Sequence, residues 1–154
     1  MNEFLALALE EARAGIEEDD GGPFGAVIVR NGEVISKAHN EVLRRNDPTA
    51  HAEILAIREA SSILGRFDLS DCEIYSTSQP CPMCFAAIFW ARVKRLVYGT
   101  TREDVAGIGF DDSLIYQVIR GEAEAEEMKM VNVDREWCRA VLEEWERRPG
   151  RRVY

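Results

Sequence analysis

The sequence predicts a mixed α/β fold: a mixed five-stranded sheet with helices on both faces. Three observations carry that expectation. Short apolar runs of strand length alternate with segments of helical period, so strands and helices interleave along the chain. Asn31-Gly32 stands between two apolar runs, and a pair of residues that tolerates positive φ there signals a hairpin. The chain has 154 residues, which suits one domain and is too short for two of ordinary size. Residues 1–154 are therefore read as a single domain, with no linker, internal repeat or low-complexity tract.

Each element has its own signal. Residues 2–14 put Leu5, Leu9 and Ala12 on one helical face, and Gly21-Gly22-Pro23 ends that region. Residues 24–29 and the run at Val34-Ile35 form the hairpin strands. A helix is expected to start near Asp47-Pro48, to present Ile54, Leu55, Ile57, Ile63 and Leu64, and to stop at Gly65. Residues 72–75 supply a third strand, Pro82 opens a helix running through Ala91, and residues 95–98 supply a fourth strand. A loop containing Gly107 and Gly109 leads to a short helix from Asp112 or Ser113 to the region of Ile119. Residues 128–133 are read as the fifth strand. Asp134 is expected to cap a last helix, because Trp137, Val141, Leu142 and Trp145 share one face, and Pro149-Gly150 breaks it.

Composition narrows the function classes. Hydrophobic residues at 46% and charged residues at 31% exclude a disordered tail, a collagen-like fibre and a disulfide miniprotein. A formal charge of −9 disfavours tight binding to a nucleic-acid backbone. The acidic residues crowd the first helix and its exit, from Glu3 to Asp20, and are read as a solvated face. The N-terminus lacks a basic leader region and no run of 18 apolar residues exists, so a cytoplasmic protein with no membrane span is expected. In that compartment the four cysteines read as metal ligands or core residues before disulfides. Cys138, beside Trp137, is expected to be an inert buried thiol.

Two motifs carry chemistry: His51-Ala52-Glu53 and Pro80-Cys81-Pro82-Met83-Cys84. A catalytic zinc takes three protein ligands and keeps one position open, and His51, Cys81 and Cys84 supply three. Cys81 and Cys84 lie three apart at a predicted helix start, so both sulfurs can reach one ion. Both motifs sit at predicted helix N-termini, where the dipole favours thiolates. Two thiolates blunt the acidity of the metal, which makes a dedicated proton carrier useful; Glu53 is that candidate. His51 and Glu53 can share a site only if His51 lies outside the regular helix, since residues two apart on a helix diverge. A structural zinc would need a fourth ligand, for which His39 and Cys72 are available. A redox Cys-x-x-Cys would leave the His-x-Glu motif without a role.

In this order the motifs match the H-x-E…P-C-x-x-C signature of zinc deaminases, and the chain resembles the cytidine-deaminase-like superfamily, within it the bacterial guanine deaminases. The likeness extends to Gly22-Pro23-Phe24-Gly25-Ala26-Val27-Ile28-Val29, to Asn46-Asp47-Pro48-Thr49-Ala50 before the first motif, to Trp90-Ala91-Arg92 after the second, and to Gly109-Phe110-Asp111-Asp112-Ser113. It covers residues 20–120 well and the tail weakly. It implies a three-layer α/β/α fold, bound zinc, a purine substrate and a homodimer in which the C-terminal helix and tail cross to the partner. It also implies that Glu53 is catalytic, that Asn40, Asp112, Phe24, Trp90 and Tyr154 line the base pocket, and that the backbone near Ala52 and Cys81 holds the intermediate. The expected reaction is hydrolysis of guanine to xanthine and ammonia. Gln79 departs from the Glu that the family usually carries before Pro80. Plant guanosine deaminases share much of the pattern, so a nucleoside is the alternative substrate; tRNA adenosine deamination, cytosine deamination and a zinc scaffold without turnover follow.

Overall fold

Gly25 has no side chain because α1 (Glu3–Glu17) lies directly on β1 (Gly25–Arg30): a Cβ at Gly25 would come 2.0 Å from the Ala8 carbonyl oxygen. In the computed structural model, which describes residues 2–126 and 128–154, that contact is the seam between the first helix and the sheet. Asn2 caps α1, its Oδ1 accepting from the Leu5 amide at 3.0 Å. The helix buries Ala8, Ala12 and Gly15, small residues that permit close approach to the strands.

The hairpin forms as the Asn-Gly pair requires. Asn31 and Gly32 take φ of 51° and 80°, and Arg30 faces Glu33 across a two-residue turn into β2 (Glu33–His39). After a short α2 (Val42–Arg45) come α3 (Ala52–Leu64), β3 (Cys72–Ser78), α4 (Pro82–Trp90) and β4 (Arg95–Thr100). The sheet order is β2-β1-β3-β4, antiparallel except for the β3–β4 pair.

Strand alternation divides the core into two layers. Val27, Val29 and Tyr75 face α1 with Ala8, while Ala26, Ile28 and Ile74 face Ala52, Ala56 and Ala60 of α3 and Ile88 of α4. Ile28, Ile74 and Leu69 are fully buried; each such side chain contributes roughly 1.5–3 kcal/mol of transfer free energy. Helices on both faces of the sheet give the expected three layers.

The chain goes on through α5 (Arg102–Ala106), α6 (Ser113–Arg120) and α7 (Arg135–Arg147). The described residues up to Tyr116 form one compact unit and those of Gln117–Tyr154 a second. Among the described residues no helix is long and apolar enough to cross a membrane.

Several expectations need correction. The sheet of the described residues has four strands, not five. Residues 128–133 are irregular and exposed, with Met130 and Val131 three-quarters accessible; an apolar run becomes a strand only where another strand takes up its amides and carbonyls. The helix expected from Asp47-Pro48 starts at Ala52, because Asp47 instead turns the chain, its Oδ1 accepting from the Thr49 amide and hydroxyl at 2.8 and 2.7 Å. The glycine loop after β4 holds α5, nucleated by a Thr101–Asp104 capping box. Asp134 precedes α7 but makes no side-chain cap bond. Cys138 is exposed rather than buried. The acidic face is only partly solvated: Asp20 is buried against His39 and Arg44, and Glu11 pairs with Lys37.

Candidate active site

Two helix N-termini meet at one point. His51 is the N-cap residue of α3 and Cys81 that of α4, both extended, with φ/ψ of −72°/153° and −64°/168°. Leaving the helix at His51 settles the divergence problem: His51 turns toward Cys81 while Glu53, in the first turn, turns the same way. Pro82 occupies the first position of α4, where its missing N–H costs nothing.

His51 Nδ1 lies 3.6 Å from Cys81 Sγ and 3.5 Å from Cys84 Sγ. A tetrahedral zinc with ordinary Zn–N and Zn–S bonds has an N···S edge of about 3.5 Å, so the three donors already stand at the spacing the ion needs. They form one of two groups of potential ligands among the described residues, and neither His39 nor Cys72 joins it. His39 Nε2 is instead 2.8 Å from Asp20 Oδ2, and Cys72 is buried at the start of β3 beside Asp71. With three protein donors and no fourth, the site fits a catalytic rather than a structural zinc.

The electrostatics agree. The Cys81 thiol is held down at about 4, first by the hydrogen bond from Cys84 and then by His51 and the Cys84 amide. Cys84 is pushed up by that same bond, by burial and by Glu53. The pair therefore shares one proton, and a cation that takes both sulfurs displaces it. The bond to Cys81 also raises His51. Glu53 is 6% exposed, and burial raises its carboxyl above the usual range. Ser76 Oγ of β3 donates to Glu53 Oε1 at 3.1 Å, fixing one oxygen. All four cysteines are free, so Cys81 and Cys84 form no disulfide.

A cavity of about 420 Å³ opens over these groups. His51, Glu53 and Cys81 lie at one side; Phe24 and Phe110 meet edge to face, ring centres 5.2 Å apart, at another. Asp111 and Asp112 line it, as do Gln79 and Arg102. Asn40, Ala52 and Trp90 are not among its lining residues. Asn40 is buried beside it, its Oδ1 accepting from the Gly22 and Val42 amides at 3.2 Å each. Gly21 makes room for it, since a Cβ there would fall 2.1 Å from that oxygen. Ala52 is the fully buried first residue of α3. Trp90 ends α4 and is 62% exposed. Tyr154, in the second unit, is exposed.

Residues 1–100 match the cytidine and deoxycytidylate deaminase zinc-binding region. The chain belongs to that deaminase family. It is 50% identical to the guanine deaminase of Bacillus subtilis over 121 residues, 79% of this chain and 78% of the relative. The X-ray structure of that protein superimposes with a TM-score of 0.88 and 41% identity, covering 100% of this chain and 99% of the other. A tRNA-specific adenosine deaminase from Aquifex aeolicus is 44% identical over 105 residues, 68% of this chain and 69% of the relative. A structure of NE0047 in complex with 2,6-diaminopurine superimposes with a TM-score of 0.68 and 39% identity, covering 71% of this chain and 61% of that one.

Reading the deaminase from its sequence missed Arg102 and Ser76. Ser76 has no motif of its own; only the facing of β3 toward α3 reveals it. Arg102 was visible as a cation just before the Asp111-Asp112 loop, but nothing in its spacing said that it would fold back onto the cavity.

Proposed function

We propose that this deaminase hydrolyses guanine to xanthine and ammonia. The observation that carries the reading is the convergence, on one cavity, of the His51/Cys81/Cys84 donor set, buried Glu53 and the carboxylate of Asp112. The match to a guanine deaminase over the whole chain supports it.

Zinc, held by His51, Cys81 and Cys84, supplies Lewis-acid activation of water when bound. Glu53 receives one proton of the attacking water and passes it to ring N3 as the water oxygen bonds to C2. It then takes the second proton, from the new C2 hydroxyl, and delivers it to the amino group, which leaves as ammonia as the C2–N bond breaks and the C2 carbonyl forms. Burial raises the Glu53 carboxyl above the ordinary carboxylate range, which suits a group that accepts a proton and returns it. Ser76 holds the oxygen that is not exchanging. Asn40 has its carbonyl end committed to two backbone amides, so its Nδ2 is the end that donates to a base carbonyl. Asp112 accepts from ring N–H groups, and Phe24 closes a face of the base against water. The backbone amides at Ala52, at the start of α3, and at Cys81, the N-cap of α4, suit the developing oxyanion. Trp90 and Tyr154 are assigned to a pocket completed in a homodimer by the C-terminal segment of a second copy, on the resemblance to guanine deaminases. A cytoplasmic enzyme of purine metabolism follows from the same reading. Nucleic acid is a poor substrate for a chain of charge −9 with Asp111 and Asp112 on the cavity wall.

The test is ammonia release from zinc-loaded protein given guanine, guanosine, adenine, cytosine and cytidine in parallel, with an adenosine-34 tRNA stem-loop as a sixth substrate. Turnover of guanine alone is expected. Turnover of guanosine but not guanine overturns the base assignment, and turnover of the stem-loop alone moves the enzyme to the tRNA branch.

A further inference from the structure

We propose that Arg102 is a positioning residue for substrate recognition: it fixes the carboxylate of Asp112, so that the pair, and not Asp112 alone, sets the preference for guanine. The inference rests on the reading of the enzyme as a guanine deaminase.

Asp112 needs such a support. It ends a segment that includes Gly107 and Gly109, and Gly109 takes a φ of 100°, a backbone with little conformational restraint of its own. A carboxylate that reads a base must be held to within a fraction of an ångström of its working position. Arg102 Nε lies 3.3 Å from Asp112 Oδ1, with the two side chains 29% and 19% exposed. That single contact engages one oxygen and leaves Oδ2 for the substrate, unlike a two-pronged pair, which would occupy both.

Arg102 is itself held from two sides. It is the first residue of α5, whose start is locked by the capping box: the Thr101 amide donates to Asp104 Oδ2 at 2.8 Å, and the Asp104 amide to Thr101 Oγ1 at 3.4 Å. Its guanidinium carbon sits 3.9 Å from the centre of the Tyr116 ring, a stacking distance for a cation on an aromatic face. Tyr116 in turn belongs to the helix that Asp112 starts, since the Asp112 carbonyl accepts from the Ile115 and Tyr116 amides at 3.1 and 3.4 Å. The three side chains thus close a bracket between α5 and α6 on the cavity wall.

The experiment compares wild type, R102Q, R102K, D112N and the R102Q/D112N double variant, each zinc-loaded. Steady-state guanine kinetics and calorimetric binding of 8-azaguanine are measured for each. R102Q should raise KM for guanine and Kd for 8-azaguanine about tenfold, the loss of one charge-assisted bond, while kcat moves less than threefold by the same single-bond logic. R102K should recover part of the loss. In the D112N background, R102Q should add less than about twofold, because Arg102 has then lost the group it positions. Tyr116→Leu, which keeps both charges and removes the ring, should shift KM in the same direction by less. Equal KM and Kd in R102Q and wild type overturn the proposal, as does a double variant whose loss is the product of the single losses. A wild type that leaves guanine intact overturns the underlying reading and the proposal with it.

Discussion

Replacing Glu53 by Gln separates proton transfer from every other property of the site. Gln is nearly isosteric, and its carbonyl oxygen can still accept from Ser76 Oγ, which donates to Glu53 Oε1 at 3.1 Å. Glu53 is not one of the three clustered metal donors, so zinc should remain at one per chain. What disappears is the buried titratable carboxyl beside the His51/Cys81/Cys84 cluster. A positioned acid–base group contributes about 10²- to 10⁴-fold, or roughly 3–5.5 kcal/mol of barrier; because one group is asked to serve two proton transfers here, the loss in kcat should fall at the upper end. Stability should move the other way. Burial raises the Glu53 carboxyl, so above the ordinary value of 4.5 the unfolded chain gives up its proton more readily than the folded one. Metal-free wild type therefore loses stability as pH rises from that value through the folded pKa, and E53Q, which carries no titrating proton there, does not. The assays are ammonia release under saturating guanine, metal content by emission spectroscopy, and thermal unfolding of metal-free protein at pH 5, 6 and 7. A kcat within tenfold of wild type, with zinc at one per chain, would remove Glu53 from the mechanism. An E53Q that gains no stability on wild type as pH rises would refute the burial argument.

Cys84→Ser should abolish stoichiometric zinc binding, since a hydroxyl is not a thiolate at neutral pH and the remaining two donors do not make a closed set; zinc near one per chain after dialysis would contradict the ligand assignment. Gly25→Ala should cost about 1–3 kcal/mol of stability and lower the unfolding midpoint, because its Cβ would stand 2.0 Å from the Ala8 carbonyl oxygen and α1 would have to lift from β1; urea denaturation measures it, and an unchanged midpoint would mean the seam is not rigid. Asp68 is held at about 2, chiefly by the Ser70 hydroxyl and amide and then by Arg92. Its contribution to stability should be present above the unfolded value of 3.8 and vanish as pH falls toward 2. The difference in midpoint between wild type and D68N should therefore shrink on acidification, and a difference that stays constant from pH 6 to pH 2.5 would argue against the hydrogen-bonded Asp68 carboxylate.

Much of this protein was legible in one dimension. The Asn31-Gly32 turn, the short apolar run of residues 24–29 and the Pro82 helix start are local rules, in which the neighbouring residues alone set the backbone. The candidate metal donors were equally plain, because zinc chemistry restricts both the residue types and the close spacing of Cys81 and Cys84. Other features depended on hydrogen bonds that the residue types alone do not fix. Asp47-Pro48 looked like a helix start, but the Asp47 side chain satisfies the Thr49 amide and hydroxyl first, which moves the start to Ala52 and makes His51 the N-cap. Residues 128–133 have the composition of a strand but are irregular, and the sheet of the described residues has four strands. Sequence by itself thus determined which atoms can hold a metal and carry a proton, since those are properties of side-chain chemistry. Tertiary structure decided that His51 and Glu53 face one point, that Ser76 steadies the acid, that Asp20 is buried on His39, and that Arg102 reaches Asp112 across ten residues. Those are matters of direction and distance, and they exist only after the sheet has brought separate segments of chain together.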